Sequence, residues 1–98
     1  MNYIKDKTIV VTGAASGFGR LVAQKVSALG ASVVVADINI EELAETLSSL
    51  ENPDNAISVV ADVADRNAVA QVSAEAFGRF GSIDIMLGTI CGAIITVE

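Results

Sequence analysis

Histidine is absent from this chain, and cysteine occurs once. Without histidine the chain lacks the commonest general base of enzymes and a frequent metal ligand. A single cysteine can form no internal disulfide and cannot build a structural zinc site, which suits a reducing compartment. Aromatic residues make up only 4% of the sequence. The core must therefore consist of valine, isoleucine, leucine and alanine.

Positive charge is also scarce, with 6 basic against 12 acidic side chains and a formal net charge of -6. An acidic chain without a basic patch argues against binding to nucleic acid or to an anionic membrane surface, and we interpret the acidity as a source of solubility. The first six residues contain no apolar signal core, and no segment approaches the roughly 18 uninterrupted apolar residues of a membrane span. We therefore expect a cytoplasmic protein. Its 98 residues allow one domain, residues 1–98, and with 52% hydrophobic residues that domain can bury a real core.

The most informative stretch is an apolar run followed by three closely spaced glycines. Residues 8–11 are rich in β-branched side chains, as in a strand covered on both faces. Gly13, Gly17 and Gly19 follow with the spacing G-x-x-x-G-x-G. Helical periodicity then predicts a helix over residues 17–29, with one apolar face formed by Leu21, Val22, Val26 and Leu29.

The glycine turn favours a phosphate ligand. Glycine lets a ligand approach the main chain, and the first N–H groups of a helix have no partner within the helix and carry the positive end of its dipole. By analogy with the dinucleotide fingerprint, we assign Gly13 to the tight turn, Gly17 to close approach of the phosphate and Gly19 to packing of the helix on the strand. The alternative is an ordinary strand-to-helix turn with glycines for compactness.

The rest of the chain alternates between strand and helix patterns. Asn39 and Asp65 are placed to cap the second and third helices, and Gly81 to end the third. In the third helix we expect Val69, Val72, Ala76, Phe77 and Phe80 to face inward. This alternation predicts an α/β fold with a parallel sheet, in which a dinucleotide-binding protein would have the strand order 3-2-1-4. The predicted strands are residues 8–11, 31–36, 57–61 and 83–87, and the second and third helices are residues 40–50 and 66–80.

Acidic residues close the second and third predicted strands. Asp37 lies roughly twenty residues after the glycine turn, where a carboxylate accepts hydrogen bonds from the adenosine ribose and repels a 2′-phosphate, which favours NAD over NADP. Asp62 is placed to accept a hydrogen bond from the adenine amino group, with Val63 against the ring. Either aspartate could instead cap a turn. We expect Arg20, one residue past the last glycine, to point away from the cofactor.

The segment Thr12-Gly13-Ala14-Ala15-Ser16-Gly17-Phe18-Gly19 resembles the T-G-x-x-x-G-x-G turn of the short-chain dehydrogenase/reductase family. Asp37, Asp62-Val63 and residues 83–87 match further landmarks of its cofactor-binding half, so the resemblance runs from about residue 7 to residue 87. It implies a Rossmann-type three-layer α/β fold with a nicotinamide cofactor. It also implies oxidoreductase activity, with hydride transfer between the nicotinamide and an alcohol or carbonyl.

The resemblance also implies roles for individual residues. Thr12 would brace the turn and contact the fourth strand, while Ser16 and Phe18 would line the pyrophosphate site. No metal is expected. The full set of residues expected to bind NAD is Gly13, Ser16, Gly17, Phe18, Gly19, Asp37, Asp62 and Val63.

The chain departs from the family after the fourth strand. The family usually carries N-N-A-G there, whereas residues 88–92 read G-T-I-C-G. The family's catalytic serine, tyrosine and lysine would lie beyond residue 98. The Y-x-x-x-K spacing at residues 3–7 precedes the first strand, at the wrong edge of the sheet, and Cys91 has no histidine to activate it. We therefore expect cofactor binding without turnover.

Three interpretations stay open at this point. The chain is the cofactor-binding portion of a longer NAD-dependent oxidoreductase, a self-standing dinucleotide-binding or interaction module, or a degraded product. Residues 93–97 are rich in β-formers and uncharged. The tail of residues 93–98 therefore predicts either an edge strand or a segment through which the chain forms homo-oligomers, and the outer edge of the fourth strand is the other place where copies could associate. The sequence names no substrate.

Overall fold

The computed structural model describes residues 4–15, 17–62, 65–90 and 93–97. Three residues to which the sequence assigns a place, Ser16, Val63 and Cys91, lie outside this described part, as does Tyr3. Strands β1 to β5 are Thr8–Thr12, Ser32–Asp37, Ala56–Val60, Ile85–Ile90 and Ala93–Val97, helices α1 to α3 are Gly17–Ala28, Ile40–Ser49 and Arg66–Phe80, and a short 3-10 helix spans Pro53–Asn55.

The strands form one sheet with the order β3-β2-β1-β4-β5. The first four strands run parallel, and β5 pairs antiparallel with β4. The predicted order 3-2-1-4 is therefore confirmed. Of the two alternatives for residues 93–97, the structure has the edge strand. The outer edge of β4, the other expected place of association, is paired with β5 and is therefore not open to a second copy. Residues 88–90, which stand where the family carries N-N-A-G, continue β4 because they pair with β5.

Helices cover both faces of the sheet, which makes the three-layer arrangement expected for a parallel sheet. Because successive strand residues point to opposite faces, neighbouring residues of β1 and β2 enter different cores. One core lies beneath α1 and α2 and contains Ile9, Val11, Val33, Val35, Ala23, Val26 and Leu43. The other lies beneath α3 and contains Val10, Val34, Ala36, Val59, Val72 and Ala76.

The capping residues read from the sequence predicted these helix ends correctly. Asn39 Oδ1 accepts a hydrogen bond from the Glu42 N–H at 3.0 Å, and Asp65 Oδ1 accepts one from the Asn67 N–H at 2.9 Å. Gly81 ends α3 in the left-handed conformation, with φ 81°. Within the described ranges, no helix has the length and apolar character needed to cross a membrane.

Three expectations about packing were wrong, and one of them concerns Leu29, which lies just past the end of α1 and is 38% exposed. Phe77 is 54% exposed, because the buried stripe of α3 is formed by Val72 and Ala76. Leu21 is 62% exposed, because α1 approaches the sheet through small residues, including Gly19 and Ala23.

The start of β4 also differs from the prediction, at Ile85 instead of Ile83. The reason is the residue before it. The Asp84 N–H donates to the Thr8 carbonyl at 2.9 Å, and Asp84 Oδ2 accepts from the Thr8 N–H at 2.8 Å. The carboxylate therefore takes the amide of β1 that a longer β4 would have used in the sheet.

Candidate functional site

The carboxyl ends of the four parallel strands lie at one edge of the sheet, and most of the predicted site residues meet there. The segment of residues 13–17, which we call the glycine loop, follows β1. Asp37 ends β2, and Asp62 follows β3. The Ala61 N–H donates to the Asp37 carbonyl at 2.9 Å, which ties the ends of β2 and β3 together beside Asp62. Open α/β sheets bind ligands at this edge.

Gly13 and Gly17 both require the freedom of glycine. Their φ angles are 69° and 59°, in the left-handed region that other residues rarely adopt. At Gly17 no heavy atom lies within 4 Å of the place where a Cβ would stand. The main chain of Gly17 therefore borders open space, and the next residue, Phe18, is 55% exposed.

Gly19 is needed for a different reason, which is contact. A Cβ on Gly19 would lie 2.1 Å from the Gly13 carbonyl oxygen and 2.7 Å from the Gly13 carbonyl carbon. The first turn of α1 therefore lies directly against the end of β1. This is the close packing of helix on strand that the glycine spacing predicted.

The first turn of α1 leaves its dipole available to a ligand. It contains no acidic side chain. Its first N–H groups have no partner within the helix, so positive potential collects at this end. An anion at the open side of Gly17 would meet that potential and main chain that no Cβ shields.

Asp37 is in direct contact with the glycine loop, which sequence reasoning did not anticipate. Its Oδ2 accepts a hydrogen bond from the Ala15 N–H at 3.0 Å, and its Oδ1 accepts one from the Ile38 N–H at 2.6 Å. Each carboxylate oxygen has two lone pairs, so one acceptor position on each stays available for a hydroxyl donor. The residue after Asp37, Ile38, is 65% exposed.

Two other side chains hold parts of this edge. Thr12 Oγ1 donates a long hydrogen bond of 3.4 Å to the Leu87 carbonyl, so β1 contacts β4 as expected. Arg20 points toward α2, where its Nε donates to Thr46 Oγ1 at 2.8 Å and one terminal nitrogen donates to the Glu42 carbonyl at 3.0 Å.

Sequence reasoning missed Thr46, although a signal was present. Thr46 lies on the inward stripe of α2 with Leu43 and Leu47, which Leu50 continues just past the helix end, and its side chain is fully buried. A buried hydroxyl must find a hydrogen-bond partner, so a threonine in an apolar stripe indicates a polar contact across the interface.

A parallel sheet with helices on both faces, a glycine loop between β1 and α1, and an acidic residue at the end of β2 define a Rossmann-type protein of the nucleotide-binding class. The model of the family described as short chain dehydrogenase matches residues 7–95. The chain belongs to this family of oxidoreductases.

Individual relatives agree with the family assignment. The short chain dehydrogenase/reductase dpchG of Colletotrichum higginsianum is 37% identical over 85 residues, which are 86% of this chain and 32% of that protein. A short chain dehydrogenase/reductase from Burkholderia phymatum, solved in complex with NAD, matches with a TM-score of 0.82 and 34% identity, covering 88% of this chain and 31% of that one.

A ketoreductase of actinorhodin polyketide synthesis, the F189W variant solved with NADPH, matches with a TM-score of 0.80 and 27% identity, covering 91% of this chain and 34% of that one. The similar structures therefore include both NAD and NADPH complexes. The chain spans about a third of the length of the relatives it matches, for example 32% of the protein from Colletotrichum higginsianum.

Proposed function

We propose that this chain is the NAD-binding portion of a short-chain dehydrogenase, with the pyrophosphate on the glycine loop and the adenosine ribose on Asp37. The observation that carries the proposal is the 3.0 Å hydrogen bond from the Ala15 N–H to Asp37 Oδ2. It joins the acidic residue of β2 to the loop that begins α1. One dinucleotide can therefore contact both at once. The proposed contacts are Gly13, Ser16, Gly17, Phe18, Gly19, Asp37, Asp62 and Val63, of which Ser16 and Val63 lie outside the described residues.

The charges at this edge support NAD rather than NADP. A 2′-phosphate would meet the Asp37 carboxylate, and a nearby arginine would be needed to offset the repulsion. Arg20 is the cation in the first turn of α1, and its guanidinium is bonded to Thr46 and to the Glu42 carbonyl on α2. Arg20 is therefore committed to the protein and not directed at the ribose.

Hydride transfer between the nicotinamide and an alcohol or carbonyl is the activity we propose for the whole protein, in the cytoplasm. In the family this chemistry uses a serine and a Tyr-x-x-x-Lys pair that follow the fourth strand. Residues 88–98 contain no serine, tyrosine or lysine. We therefore propose that these 98 residues bind the cofactor but do not turn over a substrate by themselves.

Titration calorimetry with NAD, NADP and ADP tests the proposed binding. We expect NAD to bind saturably, with a dissociation constant below about 1 mM. NADP should bind at least about tenfold more weakly, because its 2′-phosphate would be repelled by the Asp37 carboxylate. An assay of NADH formation with mixed short-chain alcohols should show no turnover.

The outcomes separate the three interpretations. Saturable NAD binding without turnover supports a cofactor-binding portion or a non-catalytic module, and the downstream coding sequence distinguishes these two. If the titrations show no heat of binding, and millimolar NAD does not slow hydrogen exchange at the loop amides, the proposal is contradicted and a degraded product is favoured. Clear hydride transfer by the 98-residue chain would refute the account of its missing chemistry.

We further propose that two copies associate through the outer edge of β5. This strand ends the sheet on one side, so one row of its N–H and C=O groups has no neighbouring strand within the described sheet. Ala93–Val97 contains no charged residue and no proline, which are the usual means of preventing edge pairing. Such a strand favours pairing with a second copy.

Replacing both Ile94 and Ile95 with lysine tests this association. Charged residues on an edge strand oppose strand addition, so we expect the molar mass from light scattering to fall from twice the chain mass of 10.1 kDa to the monomer value. The matched control is Ser58→Lys on β3, the strand at the opposite edge, which should leave the mass unchanged. A monomeric parent protein at all concentrations would contradict the proposal.

A further inference from the structure

We propose that Thr46 and Arg20, both outside the expected cofactor contacts, are positioning residues that hold the glycine loop and Asp37 in the binding geometry. This inference rests on the proposed NAD site. Its starting point is the carbonyl groups of Ala14 and Ala15, which accept hydrogen bonds from Thr46 of α2 and Arg20 of α1. We call the contacts of these two carbonyls with Thr46 and Arg20 the α2 clamp.

Thr46 forms the centre of the α2 clamp. Its side chain is fully buried, and its Oγ1 lies 2.8 Å from the Ala14 carbonyl oxygen and 3.1 Å from that of Ala15. One hydroxyl hydrogen can serve only one carbonyl well, so it donates chiefly to Ala14 or is shared between the two. The hydroxyl oxygen also accepts from Arg20 Nε at 2.8 Å.

Arg20 completes the clamp from α1. One terminal nitrogen donates to the Ala15 carbonyl and also, at 3.0 Å, to the Glu42 carbonyl of α2. A guanidinium can make these bonds together because its donors are fixed in one plane. The Glu45 carboxylate lies 3.7 Å away and is 72% exposed, so solvent screens that ion pair and the carbonyl contacts matter more.

The peptide group between Ala14 and Ala15 connects the α2 clamp to Asp37, at the carboxyl ends of the strands where the ligand is expected. In a trans peptide the C=O and the N–H point in opposite directions. On one side, the Ala14 carbonyl accepts from Thr46. On the other, the Ala15 N–H donates to Asp37 Oδ2. Thr46 and Asp37 therefore hold opposite sides of one peptide plane, and rotation of that plane would break both bonds.

This arrangement explains how a glycine-rich loop can be ready for a ligand. Gly13 and Gly17 confer conformational freedom that an unbound loop would lose on binding, which would weaken affinity. The α2 clamp fixes Ala14 and Ala15, which lie between the two glycines, in advance. Without it, the loop amides and the Asp37 carboxylate would have to be ordered by the dinucleotide itself.

The test compares Thr46→Val, which replaces the hydroxyl with a methyl group, with Thr46→Ser, which keeps the hydroxyl. Amide hydrogen exchange measured by NMR on the ligand-free chain reports the peptide plane directly. We expect the Ala15 amide to exchange at least about tenfold faster in Thr46→Val and NAD affinity to fall about tenfold, as for the loss of one buried hydrogen bond. Thr46→Ser should restore both values to within about threefold.

Two further variants separate positioning from simple loss of stability. Leu50→Val shortens a buried side chain just past the end of α2 and should lower the melting temperature without selectively accelerating exchange at Ala15. If Thr46→Val does not fold, Arg20→Met removes the other half of the clamp from a site that is 29% exposed, and it should accelerate Ala15 exchange several-fold.

The results distinguish this inference from the proposed function. An Ala15 exchange rate in Thr46→Val or Arg20→Met no faster than in Leu50→Val overturns the α2 clamp, whatever happens to NAD affinity. Faster exchange with unchanged NAD affinity overturns its role in binding. Faster exchange in a protein whose parent form binds no NAD supports the clamp as a loop-ordering device and refutes the cofactor site.

Discussion

Gly19→Ala is expected to destabilise the protein by about 3 kcal/mol or more, at the upper end of what overpacking usually costs. The added Cβ would lie 2.1 Å from the Gly13 carbonyl oxygen, which belongs to the main chain and cannot move to another rotamer. Either α1 moves away from β1 or the loop changes its path. For a chain of this size the loss corresponds to a melting temperature lower by roughly 12 °C or more.

Gly78→Ala is the matched control for Gly19→Ala. Gly78 lies within α3 with no heavy atom within 4 Å of its missing Cβ. Alanine is favoured over glycine in a helix by up to about 1 kcal/mol, so this variant should be neutral or slightly more stable. Circular dichroism melts of the two variants test the prediction. Equal stability would show that α1 does not lie against the end of β1.

Asp37→Asn is expected to weaken NAD binding by about 10- to 100-fold, the range expected for losing a charge-assisted hydrogen bond. The carboxylate accepts from two N–H groups, those of Ala15 and Ile38. Asparagine has a single acceptor oxygen, and its NH2 group would face the second donor. The variant would therefore lose a bond to the loop as well as the charge that meets the ribose hydroxyls. Affinity for NADP should fall less, so that the preference for NAD narrows.

Asp54→Asn controls for the change in charge. Asp54 lies in the short 3-10 helix that precedes β3. It is therefore near the amino ends of the parallel strands, away from the candidate site at their carboxyl ends, and its side chain is exposed. Calorimetric titration of both variants with NAD and NADP should show an effect only for Asp37→Asn. Unchanged NAD affinity in Asp37→Asn would remove the ribose contact from the proposed site.

The parts of the fold that depend on residues close together in the sequence could be predicted. Strand and helix order followed from apolar periodicity, and Asn39 and Asp65 cap the helices that their positions indicated. The four parallel strands took the order 3-2-1-4, because short right-handed crossovers leave few other arrangements.

The candidate site was predicted only in outline. The spacing of Gly13, Gly17 and Gly19 indicated the loop, and the position of Asp37 at the end of β2 indicated a ribose contact. Neither indicated that Asp37 and Ala15 are hydrogen-bonded, because this pair is separated by 22 residues. Periodicity also misjudged Leu21 and Phe77, both of which are more than half exposed. Apolar character says that a side chain can be buried, but the neighbouring element decides whether it is.

The sequence by itself determined the order of the elements, the helix caps and the loop that only glycine permits, because these follow from the conformational preferences of single residues and short segments. The tertiary structure alone decided which atoms meet across the elements. It placed α1 against Gly13, turned Arg20 toward Thr46, and set the Ala14–Ala15 peptide between Thr46 and Asp37. Such contacts depend on how two helices pack on one sheet, which no local pattern records.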